Sequence, residues 1–159
     1  MVELRDRTEQ HVRIYFERTQ DPVIQALIPQ SAKTMDDAIA LFKKTLLPGA
    51  TSFGRTIYVD GNYVGDIWCY CINHEEEPNA MVSYCLFEKS LWNKGIATKA
   101  TKQFLDEIIT RFSLESVGAF TYCDNIPSIR VLEKNGFQKM EEFMDGGKLS
   151  AYFQKESVQ

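Results

Sequence analysis

Residues Ser90 to Ala100 read SLWNKGIATKA, and this stretch marks the passage from the end of a strand through a tight turn into a helix. On its amino side AMVSYCLF (Ala80 to Phe87) is a short apolar run rich in β-forming residues, the pattern of a strand inside a sheet. On its carboxyl side Ala97, Thr101, Phe104, Leu105, Ile108 and Phe112 recur at helical spacing, which predicts a helix with one face laid on that sheet. The first N–H groups of such a helix have no internal partner and lie at the positive end of its dipole, so the turn offers donors to phosphate oxygens. Gly95 and Ala97 leave those amides open to a diphosphate, Lys94 adds a positive charge and Thr98 a hydroxyl. Two common nucleotide loops are excluded. The P-loop needs Lys and Ser or Thr after its second glycine, the dinucleotide turn needs three spaced glycines, and neither pattern occurs.

The rest of the composition bounds what can surround this turn. At 159 residues with 44% hydrophobic content, the chain predicts a single domain over residues 1–159 with a sizeable core. A formal charge of -4 argues against a nucleic-acid surface and favours cationic partners such as amines. No apolar run approaches the roughly 20 residues of a membrane span, and Met1 to Gln10 is charged rather than leader-like, so a soluble cytoplasmic protein is expected. The four cysteines, Cys69, Cys71, Cys85 and Cys123, fall in apolar β-rich runs and are expected as buried free thiols. Cys69-x-Cys71 has no second ligand pair nearby, so no metal is expected.

Toward the amino terminus, Val2 to Leu4 predicts a short strand, and Thr8 opens a helix through Arg18 with a loose capping box. Asp21 before Pro22 starts another, which runs to about Leu27 before Pro29 stops it. Thr34 then precedes MDDAIALFKKTLL, with acidic residues in the first turn, lysines near the end and Pro48-Gly49 as the stop. The β-rich runs Arg55 to Asp60 and Asn62 to Ile72 are joined by Asp60-Gly61-Asn62, a hairpin signal. Period-two reading puts Val64, Asp66, Trp68 and Tyr70 on one face and Ile67, Cys69 and Cys71 on the other. An aspartate among aromatics is either a functional carboxylate or one exposed at an edge. His74 to Asn79, NHEEEPN, reads as a solvated tip, or as an attractor of a cationic acceptor.

Toward the carboxyl terminus, Ser116 to Cys123 predicts a strand. Asp124 or Asn125 caps a helix that tolerates Pro127 in its first turn and ends at Gly136. Phe137 to Phe143 and Leu149 to Gln154 form a final hairpin across Asp145-Gly146-Gly147. Strands interleaved with helices, one of them a crossover, indicate a mixed α/β sheet.

WNKGIA resembles the acetyl-CoA signature of the GNAT superfamily of N-acetyltransferases: Gln or Arg, two variable residues, Gly, one variable residue, then Gly or Ala. Trp92 stands at the Gln or Arg position, which is similar to the subgroup that acetylates ribosomal-protein N-termini. DNIPSIRVLEKNGF, Asp124 to Phe137, resembles that subgroup's Asn-x-x-Ser and Glu-Lys-x-Gly-Phe segment, about thirty residues downstream. LRDRTEQHVRIYFERTQDPVIQALIP extends the likeness over nearly the whole chain. The resemblance implies a mixed, mostly antiparallel twisted sheet of six to seven strands flanked by helices and splayed at the cofactor site. It implies acetyl-CoA as cosubstrate, and family members often form homodimers.

Acyl transfer from a thioester to an amine needs a held cofactor, an uncharged amine, a donor for the carbonyl oxygen and a proton for the leaving thiolate. The resemblance implies that Tyr84, Cys85, Leu86 and Phe87 hydrogen-bond the pantetheine through their backbone. Asn93, Lys94, Gly95, Ile96, Ala97 and Thr98 would form the diphosphate loop, and Asn125 would reach the pantetheine arm. Arg130 would meet the adenosine phosphate or be solvated. Many members carry a glutamate where Met81 stands and a tyrosine where Leu132 stands. The ribosomal-protein subgroup lacks that tyrosine, and its serine, matching Ser128, is thought to protonate the thiolate; the alternative is a first-turn serine bonded to its own backbone. An amine such as lysine titrates near ~10.4, so a base or a water chain has to take its proton. Asp66, Glu142 and His74 compete for that role, with Glu141 one residue from the Glu142 match. The expected reaction is direct transfer in a ternary complex, since Cys85 and Cys123 lie in strand-like surroundings that suppress thiolate formation. A non-catalytic acyl-CoA sensor is the alternative, and protein N-termini, polyamines, antibiotic amines and free amino acids all fit as acceptors.

Overall fold

The computed structural model describes residues 1–28 and 32–157. Its strands are β1 (Val2–Arg5), β2 (Phe53–Val59), β3 (Asn62–Asn73), β4 (Asn79–Leu86), β5 (Ser116–Tyr122), β6 (Gln138–Asp145) and β7 (Lys148–Glu156). They form one seven-stranded sheet in the order β1-β2-β3-β4-β5-β7-β6. Every neighbouring pair is antiparallel except β4 and β5, which run parallel and pair only through Asn79 to Met81 with Ser116 to Gly118. Beyond that point the two strands part, and the sheet opens into a V.

The two tight turns, between β2 and β3 and between β6 and β7, follow from their residues. Asp60 and Gly61 have φ of 50° and 84°, and Gly146 and Gly147 have φ of 56° and 85°. Two consecutive positive φ values match the twist of the flanking strands. The helices are α1 (Glu9–Arg18), α2 (Pro22–Leu27), α3 (Met35–Lys44), α4 (Ile96–Phe112) and α5 (Ile126–Lys134). Thr8, Asp21, Thr34 and Asn125 cap α1, α2, α3 and α5 with their side chains. The α1 box is closed by His11, whose Nδ1 accepts from the Thr8 amide at 3.1 Å, instead of the usual Glu or Gln. Pro29, expected to stop α2, lies outside the described residues.

The core packs α4 and α5 on one face of the sheet, where Ile67, Val82, Val117, Ala119 and Phe153 meet Phe104, Leu105, Ile108 and Leu132. The other face is covered by α1 and α2, with Ile14, Tyr15 and Ile24 against Trp68, Cys85 and Phe87. α3 stacks on α1 through Val12, Ile39 and Phe42.

Several expectations are corrected. β4 ends at Leu86, so Ser90 is not the end of a strand; Lys89–Leu91 is a 3₁₀ turn that leads into the loop before α4. α3 stops at Lys44, leaving Leu46 and Leu47 exposed in the turn after it. Two register shifts break the alternation read for β3. At the first, Val64 turns to the α4 side and joins the core there; Gly65 is required next to it, because a Cβ would lie 2.3 Å from the Cys85 carbonyl oxygen. At the second, Cys71 adopts φ of 52° and points to solvent, and Ile72 takes the inward place. Cys71 is therefore exposed, and Cys123 sits half-buried in the turn after β5; only Cys69 and Cys85 are buried thiols.

Asp66 is the buried charge of the α1 side, 1% exposed. Arg7 Nε lies 2.9 Å from Asp66 Oδ2, and the Tyr63 hydroxyl donates to Oδ1 at 2.5 Å. Burial pushes the Asp66 carboxyl up to about 6, with Arg7 and Tyr63 opposing the rise. A carboxyl raised above its unfolded value of 3.8 favours folding while protonated and loses that contribution as pH climbs through the folded value. Relative to Asp66→Asn, which does not titrate, the wild-type protein should therefore lose about 3 kcal/mol of stability between about pH 4 and pH 6. Urea denaturation of both proteins across that window measures it, and parallel curves would refute it.

Candidate active site

The V between β4 and β5 leaves unpaired backbone groups on the facing edges of residues 82–85 and 119–121. A cavity of about 960 Å³ occupies the opening and reaches both faces of the sheet.

On the α4 side the cavity meets the amino end of that helix. Gly95 is its N-cap at φ 81°, Asn93 precedes it at φ 63°, and no side chain caps the helix. The first helical bond runs from the Lys99 amide to the Gly95 carbonyl at 3.1 Å, so the amides of residues 96–98 are left for a ligand. A Cβ built at Gly95 meets nothing within 4 Å. Arg130 and Lys134 of α5 line the same side. The Asn125 side chain accepts from the Ser128 amide at 3.3 Å, and the Tyr84 hydroxyl lies 3.5 Å from Ser128 Oγ. Burial raises the Tyr84 phenol above its ordinary range, which keeps it a proton donor. Trp92, at the signature's Gln or Arg position, donates its indole N–H to the Leu86 carbonyl at 2.9 Å and so ties the loop to the end of β4.

On the other side α2 and the residue after it contribute Val23, Ile24, Leu27 and Ile28. The strands contribute Tyr70, Ser83, Cys85, Phe120, Tyr122, Phe143 and Ser150. Among the described residues, the buried side-chain polar atoms without a hydrogen bond are those of the Arg7–Asp66 ion pair, Thr101 Oγ1 and Ser150 Oγ. Thr101 and Ser150 both line the cavity. Buried hydroxyls lacking partners are uncommon, and ordered water or a bound molecule can complete them. Open amides beside two cations and free strand edges fit the diphosphate and amide-bearing arm of coenzyme A.

Of the residues expected at the cofactor, Tyr84, Cys85, Leu86, Asn93, Gly95, Ile96, Ala97, Thr98, Asn125, Ser128 and Arg130 line the cavity. Phe87 and Lys94 do not. Phe87 is buried against Ile24 and Tyr63 with the Arg18 guanidinium 4.7 Å from its ring, and Lys94 is exposed on the loop. The three residues read as competing bases are all elsewhere. Asp66 is sealed behind Arg7 and Tyr63. His74 packs on Phe112, at the far end of a helix about 25 Å long. Glu142 bonds Lys139 at 2.6 Å, because the bulge between Lys139 and Glu141 puts Glu141 on the face it shares with Tyr152 and turns Glu142 away. Sequence patterning does not single out Thr101 or Ser150: Thr101 falls in the apolar stripe of α4, and nothing in the sequence sets Ser150 apart from other strand serines.

The acetyltransferase (GNAT) domain model matches residues 2–138, and the chain belongs to this family. It is an acetyl-CoA-dependent acyltransferase. It is 27% identical over 124 residues, 78% of this chain and 71% of the other, to an uncharacterized N-acetyltransferase of Bacillus subtilis, YnaD. Its fold is similar to that of a spermidine N-acetyltransferase from Vibrio cholerae solved with CoA and spermine, at TM-score 0.84 and 15% identity, covering 98% of this chain and 95% of that one. It is equally similar to a ribosomal-protein-S5-alanine acetyltransferase from Vibrio fischeri, at TM-score 0.84 and 16% identity, covering 99% and 93%.

Gly95→Glu combines a side chain in left-handed backbone with a negative charge at the open amides. It is expected to weaken CoA binding by at least about 100-fold while circular dichroism stays native; calorimetry with CoA checks it.

Proposed function

We propose that the protein transfers the acetyl group of acetyl-CoA directly to a primary amine, a protein N-terminus or a small molecule, within a ternary complex formed across the opening between β4 and β5. The observation that carries this is the cavity's access from both faces of the sheet. The α4 side offers anion donors, and the α2 side offers a separate entrance for the amine. Two reactants held in line need no covalent relay on the enzyme.

The amides of residues 96–98, with Arg130 and Lys134, hold the diphosphate. The free edge of β4 receives the pantetheine amides in the manner of an added strand, and its unpaired N–H groups are the donors for the thioester carbonyl oxygen. As the amine nitrogen bonds to the carbonyl carbon and the carbon–sulfur bond breaks, Ser128 gives its proton to the departing thiolate. Tyr84 stands behind it at 3.5 Å to replace that proton. Among the described residues no histidine or glutamate lines the cavity, and of its two carboxylates Asp124 faces Lys148, so the proton from the amine leaves through water. Cys85 is unsuited as an acyl carrier, because burial pushes its thiol up to about 12; Cys123 does not line the cavity. The thiols are free, which fits a reducing, cytoplasmic setting.

Purified protein incubated with acetyl-CoA and a panel of amines should release free CoA thiol in step with acetylated amine. Ser128→Ala should lower kcat by about 100-fold with the Kd for CoA within a factor of about two. Full activity in that variant would remove Ser128 from the mechanism, and CoA binding without transfer to any amine would replace catalysis with sensing.

A further inference from the structure

Resting on the acetyltransferase reading, we infer that the acceptor is a primary monoamine carrying an aromatic or branched apolar group, which Phe120 and α2 grip while Ser150 hydrogen-bonds its polar end. The acceptor side of the cavity leaves large apolar side chains open that a folded sheet ordinarily covers. Phe120, in the interior strand β5, is 53% exposed; its ring sits edge-on to Phe143 at 5.7 Å and tilted to Tyr152 at 5.3 Å. Also exposed and lining the cavity are Val23, at 52%, and Leu27, at 36%. Apolar surface of this kind on a concave site selects apolar ligand surface.

Charge points the same way. The carboxylates that line the cavity are Asp124 and Asp145. Asp124 is already faced by Lys148 at 3.6 Å, and the same ammonium lies 4.2 Å from the centre of the Tyr122 ring. Lys148 also stands directly across the β6–β7 pair from Asp145, so its charge opposes a second cation at either carboxylate. A polyamine or aminosugar would bring further cations against Lys148 and an apolar wall, where each unpaired charge opposes binding. Glu75, Glu76 and Glu77 cannot serve them, because they sit in the β3–β4 connection, beyond the end of β4 that pairs with β5.

Ser150 supplies the polar contact. It pairs across the sheet with Tyr122 and Phe143, which puts its side chain on the acceptor face, and its hydroxyl is buried without a partner. A hydrogen bond to the acceptor satisfies it.

The test compares kcat/KM for 2-phenylethylamine, a phenylalanine-initiated tripeptide amide, ethanolamine and spermidine. It uses wild type, Phe120→Asp and Ser150→Ala, with the Kd for CoA measured for each. Wild type should prefer at least one phenyl-bearing amine over ethanolamine and spermidine by roughly 10- to 100-fold, and the ratio of the two phenyl arms separates a free amine from a peptide terminus. Phe120→Asp should abolish that preference, and Ser150→Ala should raise KM for the preferred amine, both with CoA affinity kept. Equal or better use of spermidine, or an unchanged preference in Phe120→Asp, overturns the inference and leaves the acetyltransferase reading standing. Failure of wild type to bind CoA overturns both.

Discussion

A parallel pair of strands that separates after three residues is the constraint from which the rest of this structure follows. Backbone N–H and C=O groups inside a sheet are normally consumed by the neighbouring strand. Here the diverging halves of β4 and β5 keep theirs, and these groups line a cavity in the middle of the molecule. A sheet interrupted in this way needs support on both sides of the gap. β4 is held by its long ladder to β3, β5 by its ladder to β7, and α4 bridges the two halves through Phe104, Leu105 and Ile108. The same helix turns its open amino end toward the gap, so one element braces the opening and equips it.

The two faces of the sheet divide the chemical labour. Alternation along β4 sends Val82, Tyr84 and Leu86 toward α4 and α5, and Ser83 and Cys85 toward α2. Alternation along β5 does the same with Ala119 and Thr121 against Phe120 and Tyr122. Anion-binding groups gather on the first side and aromatic groups on the second. In the reaction we propose, the gap is the place that both sides reach.

Local chemistry made much of this readable in advance. Caps at Thr8, Thr34 and Asn125, the Asp60-Gly61 turn and the stripe along α4 are written in short-range patterns, and the elements stand close to where those patterns put them. The left-handed turn at Gly95 is legible because residue type controls backbone conformation there. The placements of Glu141 and Glu142 and of the Tyr63–Asp66 pair are not readable, because they depend on bulges. One extra residue in β6 exchanges the faces of Glu141 and Glu142, and a bulge in β3 brings Tyr63 to the same side as Asp66. No short-range rule registers such a shift. The burial of Asp66 also depends on Arg7, almost sixty residues earlier, and Ser150 is distinguished only by lacking a partner after the chain has folded.

The outermost strand, β6, carries one further consequence. Its outer edge has no neighbour in the sheet, and Met140 and Met144 stand exposed along it, a combination that invites strands of other molecules to zip on. Lys139, Glu141 and Glu142 interrupt that invitation, and the bulge among them bends the hydrogen-bonding row out of line. The irregularity that decides which glutamate faces the Tyr152 side thus also helps to keep the molecule from polymerising in a crowded cell.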